Sequence, residues 1–242
     1  MKFSPIIPKS IFDCYKSLSI DSPTALSFFD QKINMNQKFL NEFVKRQRLL
    51  SDKQKTLLQN ISSDSFHLDD FFKALGFLEH SFLFPNDKKE TFLELSKNLF
   101  KHEKPIKKYD LIINNLIMSN TYNQLNFLIN LHNLTKENGL MLHIVPFSGL
   151  INQNLFNINP IFFRQIAIWN NYEAVKISLS NFSGAEVTIP LRKHQIFYEI
   201  LYSKDEISHF KKLIDFSKEK LGDDIYFIII LKKMNNKDFK FE

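Results

Sequence analysis

Residues 109–123 read YDLIINNLIMSNTYN, an apolar stretch that runs into amides and hydroxyls. Asn114, Asn115, Asn120 and Asn123 can each donate and accept hydrogen bonds, and Asn120 and Asn123, with Asn157 and Asn159, could hold a sugar or a phosphate. None of them exchanges a proton near neutral pH. Gln153, Asn157 and Asn159 add groups of the same kind further along, and His143 could serve as a general base if its ring reached them. Such a set suits a displacement governed by near-attack geometry, in which a base is needed only when the acceptor must lose a proton. Each of these residues also has a plain structural reading. His143 lies inside an apolar run and fits a satisfied core histidine, while Asn157 and Asn159 fit a turn and a helix cap.

Other chemistries lack their residues. The histidines at 67, 80, 102, 132, 143, 194 and 209 are scattered without the i, i+4 spacing of a helical metal site, so no metal is expected. There is no GxSxG nucleophile elbow, no phosphate-binding P-loop and no Cys/His pair. A lone Cys14 excludes an internal disulfide and fits a reducing compartment, and the expected localisation is cytoplasmic.

The positioning elements follow from hydrophobic period and punctuation. Residues 109–114 read as a strand, 123–134 as a helix, and 140–145 as a strand after Asn138-Gly139. Asn159-Pro160 provides a cap and a first-turn proline for a helix over IFFRQIAIW, and residues 174–179 and 225–231 (IYFIIIL) read as two more strands. Upstream, HLDDFFKALGF predicts a helix closed by Gly76, and residues 81–84 a short strand closed by Pro85, Asn86 and Asp87. Alternation of this kind predicts a mainly parallel α/β sheet, Rossmann-like, with helices on both faces and ligands beyond the carboxyl ends of the strands. Residues 1–65 show no evident strand and are expected to form a helical N-terminal extension. The α/β domain is then 66–242, with an insertion at about 180–224 that carries a helix over 206–221.

Three segments together resemble class I S-adenosylmethionine-dependent methyltransferases, and more narrowly a bacterial group associated with cell-surface glycans. The fourth strand of that group looks like FDLVIDGGTLEHVFN, and YDLIINNLIMSNTYN aligns with it without a gap. GLMLHIVP at 139–146 is similar to the group's GLLLHLVP, and QNLFNINPIFF at 153–163 to its HGFYNFNPxFF. The resemblance spans roughly residues 66–179. It implies S-adenosylmethionine as cofactor, with Asp87 on the ribose, Glu94 on the adenine edge, and Asn114, Asn115 and Pro146 beside it. It further implies a small polar or glycan-linked acceptor met by Gln153, Asn157 and Asn159, with His143, Asn120 and Asn123 nearest the chemistry.

The departures are as specific as the matches. No glycine precedes Gly76, so the glycine-rich turn after the first strand has no counterpart before residue 66. Asn115 and Leu116 replace the paired glycines, and Ser119-Asn120 replaces Glu-His. These losses favour an alternative, a catalytically inactive protein of the same fold that binds and regulates a protein partner or a second copy of itself.

With 242 residues, 44% hydrophobic and 24% charged, the chain is long enough for one domain with an elaboration. Its longest apolar run falls far short of the roughly 20 residues that span a bilayer. The net charge of +6 permits an acidic partner, but the basic residues between Lys38 and Lys55 lie on a helical pattern that reads as a solvated face, so nucleic acid is not an expected partner.

Overall fold

The structure is a computed structural model that describes residues 5–28, 32–34, 37–61, 65–83, 95–99, 107–149, 154–181, 183–189, 215 and 218–241. In chain order the elements are α1 (Ile6–Ser17), β1 (Thr24–Ser27), β2 (Lys32–Asn34), α2 (Gln37–Arg46), α3 (Asp52–Gln59), β3 (Ser65–His67), α4 (Leu68–Leu75) and β4 (Glu79–Phe82). They continue with β5 (Tyr109–Asn115), α5 (Gln124–Leu134), β6 (Thr135–Ser148), α6 (Pro160–Trp169), β7 (Tyr172–Asn181), β8 (Glu186–Thr188) and β9 (Ile225–Lys233).

A seven-stranded sheet in the order β4-β1-β5-β6-β9-β7-β8 forms the centre. β1 pairs in parallel with both β4 and β5, and β5 with β6. β9 runs antiparallel to its neighbours β6 and β7, and β8 is antiparallel to β7. Hence β4, β1, β5, β6 and β7 share one direction, which makes the sheet mainly parallel. This is a Rossmann-like α/β architecture.

The central apolar strands β5, β6 and β9 are buried on both faces over their apolar runs, and their side chains divide by period two. Leu111, Ile113, Leu140, Leu142, Ile144, Ile228 and Ile230 pack with α1, α2, α3 and α4 on one face. Ile112, Met141, Val145, Phe227, Ile229 and Leu231 pack with α5 and α6 on the other. Gly76 closes α4 at φ 92°, the left-handed cap expected of it.

The expectation of a strand-free extension over residues 1–65 does not hold. β1 lies there and sits at the heart of the sheet, with Ala25 opposite Leu111 on one side and His80 on the other. Four residues, TALS, buried throughout, give neither a polar alternation nor a long apolar run from which to read a strand. The α/β unit therefore begins before residue 66. The basic amphipathic stretch is two helices, α2 and α3, separated where Ser51 caps α3 in a capping box with Gln54. In the region expected as an insertion, β8 adds a short edge strand and residues 218–221 are helical; most of the remainder lies outside the described residues.

Candidate functional site

Beyond the carboxyl ends of β1, β5 and β6 the chain brings two loops together, the turn after β5 and the segment before α6. A single 3-10 turn at Met118–Asn120 follows β5. The backbone N–H groups of Leu155 and Phe156 both donate to Ser119 O, at 3.1 and 3.0 Å, and Ile158 N–H donates to Pro146 O at 3.0 Å. The second and third sequence motifs are thereby tied to the first.

Asn114 and His143 lie opposite one another on β5 and β6. Asn114 Nδ2 donates to His143 Nδ1 at 3.0 Å, which requires the neutral ring protonated on Nε2. Its Oδ1 accepts from Met118 N–H at 3.1 Å and so starts the 3-10 turn. His143 is 1% exposed, rests 4.7 Å from the Phe163 ring, and is held at a pKa of about 3 by burial. This is a satisfied core histidine, and the base suggested by the sequence is absent from the described surface of the site.

Leu116, at the end of β5, takes φ 60°, the left-handed region that disfavours branched side chains. The position aligns with a glycine of the resembled motif, the residue to which such a φ costs least. Leu116 O accepts from Ser119 Oγ at 2.7 Å and from Asn120 Nδ2 at 3.1 Å. Asn154 Oδ1 accepts from the same two donors, at 2.9 and 3.1 Å. Asn120 is therefore a brace between the loops.

Asn154 was not among the residues singled out in the sequence, and it carries the loose end of this network. Its Nδ2 is buried without a hydrogen-bond partner, a donor that an oxygen of a ligand or a water would satisfy. The signal available in the sequence was its place beside Gln153, where the third motif has His-Gly.

The remaining predicted residues separate. Asn123 caps α5, accepting from Asn126 N–H at 3.0 Å, and Asn159 caps α6, accepting from Ile161 N–H at 2.9 Å. Asn157 is exposed and Asn115 is buried at the end of β5. Asp87, Glu94 and Gln153 lie outside the described residues. Directly after β1, where a glycine turn would let backbone approach a nucleoside cofactor, Phe28 is fully buried 5.4 Å from Phe127. Within these two loops the described Asn154 Nδ2 is left as an unpaired donor.

Among the described residues no group of three or more His, Cys, Asp or Glu is placed to hold a metal ion, and no helix is long and apolar enough to cross a membrane. Exposed apolar side chains, Tyr122, Leu125, Leu155 and Phe156, surround the two loops.

The strand order and the carboxyl-edge loops define a Rossmann-like α/β protein. No protein-family model and no curated protein matches the chain. Among solved structures it is similar to the plantazolicin methyltransferase BamL, at 12% identity over 95% of this chain and 84% of that one, with a TM-score of 0.42. A SAM-dependent methyltransferase from Archaeoglobus fulgidus is similar at 13% identity over 94% and 93%, TM-score 0.41. The MccD protein is similar at 12% identity over 96% and 100%, TM-score 0.41. Likeness at this level concerns overall architecture and leaves the chemistry of this chain to its own residues.

Proposed function

We propose that the protein is a methyltransferase-fold protein that acts, with S-adenosylmethionine as cofactor, on a small polar or glycan-linked acceptor. The observation that supports this reading is the unpaired Asn154 Nδ2 at the carboxyl edge of a mainly parallel sheet, next to the braced Ser119 and Asn120. An acceptor oxygen placed on that donor would be fixed in orientation. The sulfonium methyl is the chemistry the cofactor would supply. His143, neutral and buried, contributes no base, so an acceptor that must lose its proton would have to pass it to solvent. The proposed roles of Asp87 and Glu94 are to hold the ribose and the adenine edge.

A second reading is favoured by Phe28 and by the amides spent on one another: a catalytically inactive protein that binds a protein partner. Isothermal calorimetry with S-adenosylmethionine and S-adenosylhomocysteine separates the two. Saturable heat that Asp87→Ala weakens by about tenfold supports the first. No heat at millimolar ligand removes it and leaves the second, which in turn requires a co-purifying partner or a self-associated state.

A further inference from the structure

The opposite, amino edge of the sheet carries a recess that nothing above assigns. Its volume is about 150 Å3, it opens on one side to solvent, and its walls come from two segments. Trp169, Asn170 and Asn171 line it from the α6–β7 turn, and the chain after β9 contributes Asn235, Lys237, Asp238 and Lys240. The C-terminal segment is clasped in place. Asn170 Nδ2 donates to Lys240 O at 2.9 Å while its Oδ1 accepts from Lys240 N–H at 2.7 Å, and His132 Nε2 donates to Lys237 O at 2.7 Å. Phe241 meets the Trp169 ring edge-on at 5.2 Å. A wall held this way is shaped before any ligand arrives.

We propose that this recess binds a single neutral sugar ring. The lining residues carry both acceptors and donors: the Asp238 carboxylate, the amides of Asn171 and Asn235, and the ammonium groups of Lys237 and Lys240. An inorganic anion would accept from the lysines but meet the Asp238 carboxylate, and a cation would meet two ammonium groups. Hydroxyls donate and accept at once, so a polyhydroxylated ring satisfies both kinds of partner. The indole of Trp169 adds an apolar surface for the C–H face of such a ring. The size sets the limit: the recess is smaller than the several hundred Å3 of sites for drug-sized molecules, which excludes a whole nucleotide or an oligosaccharide held along its length. The proposal is independent of what binds at the carboxyl edge.

Trp169 is the only tryptophan in the chain, so its emission reports on this recess alone. A panel of neutral hexoses and N-acetylhexosamines is titrated into the full-length protein, with inorganic phosphate as a second series. The expected result is a saturable emission change with at least one sugar at millimolar concentration, weakened about tenfold in Asp238→Ala and in Asn171→Gly, which keeps the left-handed turn. A response to phosphate and not to any sugar, a response that both variants leave intact, or no saturable response up to about 0.1 M would each overturn the proposal. Thermal unfolding of the two variants within a few degrees of the parent shows that a lost response is not a lost fold.

Discussion

The two edges of the sheet handle buried polarity in opposite ways. At the carboxyl edge the polar side chains that brace the two loops are neutral, Asn114, His143, Ser119 and Asn120, and their hydrogen bonds join segments up to 35 residues apart. At the amino edge charges are buried. Lys233, 1% exposed, donates to the carbonyls of His132 and Thr135 at 2.7 and 3.1 Å, at the C-terminal end of α5 where a cation is favoured. Asp110 accepts from Thr24 N–H, Thr24 Oγ1 and Lys136 Nζ at 2.8, 2.7 and 2.8 Å, joining β1 to β5. Burial opposes its charge, and Lys136 with Thr24 outweighs it, so the carboxyl stays below the ordinary range. Strongly perturbed titration often marks an active site. Here it marks the anchors of the fold, while the two loops at the carboxyl edge are braced by amides, a hydroxyl and one silent histidine.

The largest effect expected from this contrast is on acid stability. Burial holds His143 at about 3, and burial with the Lys233 charge holds His132 at about 4, both below the 6.5 of an unfolded histidine. The unfolded chain therefore takes up each proton first as pH falls. Stability is full above about 6.5 and is lost below it, at up to about 1.4 kcal/mol per pH unit for each ring, until the folded pKa is reached. Urea unfolding at a series of pH values measures this slope, and histidine NMR resolves the two rings. A His143 ring that titrates near 6.5 would break the comparison, because the carboxyl edge would then hold an accessible base.

Next in size is Lys233→Ala, which leaves two buried carbonyls without their donor and empties the space of the stem. A loss of about 3 kcal/mol is expected in denaturant midpoints. Lys233→Met, which keeps the stem, should recover part of it. Equal losses for the two would mean that the ammonium, and with it the charge at this edge, is the whole contribution.

How much of this was legible depended on length and on locality. β5, β6 and β9 contain long apolar runs, β7 a shorter broken one, and α4 and α6 carry their caps in the sequence, so the sheet and its parallel bias could be read. β1 could not: it is four residues long, and what makes it a strand is pairing with His80 and Leu111 far along the chain. The site was legible in its frame, since Asn114, Asn120 and Pro146 do meet the loops named by the motifs. Their roles were not legible, because whether an amide faces a ligand or another amide is decided by contacts between segments 34 or 35 residues apart. Asn123 and Asn159 followed their local grammar and became caps.

Leu116 tests whether the carboxyl edge still holds a glycine's backbone. Leu116→Val should cost about 1–2 kcal/mol, because a β-branched residue at φ 60° is the least tolerated. Leu116→Gly relieves the strain but gives up the packing of a partly buried side chain against the α1–α4 core, so its net change should stay within about 1 kcal/mol. The ordering Gly better than Val, read from thermal unfolding, is the outcome that matters. The reverse order would mean that the turn relaxes to an ordinary conformation and that the likeness of this loop to a glycine turn is superficial.

The smallest effects separate the two amides of the loop junction. Asn120→Ala removes a donor shared between Leu116 O and Asn154 Oδ1, and Asn154→Ala removes the acceptor shared by Ser119 and Asn120. Each should cost about 1 kcal/mol, since neutral hydrogen bonds that are partly replaced by water contribute little net. Stability alone therefore cannot tell them apart, but ligand binding can. Asn120 has its described hydrogen bonds inside the protein, whereas Asn154 has Nδ2 left over. If the carboxyl edge binds an acceptor through that donor, Asn154→Ala weakens acceptor binding by about tenfold while Asn120→Ala changes it far less, measured by calorimetry on variants of matched stability. Equal weakening by both would place the effect in the shape of the turn. No weakening by either would assign Asn154 Nδ2 to a bound water and leave the carboxyl-edge loops purely structural.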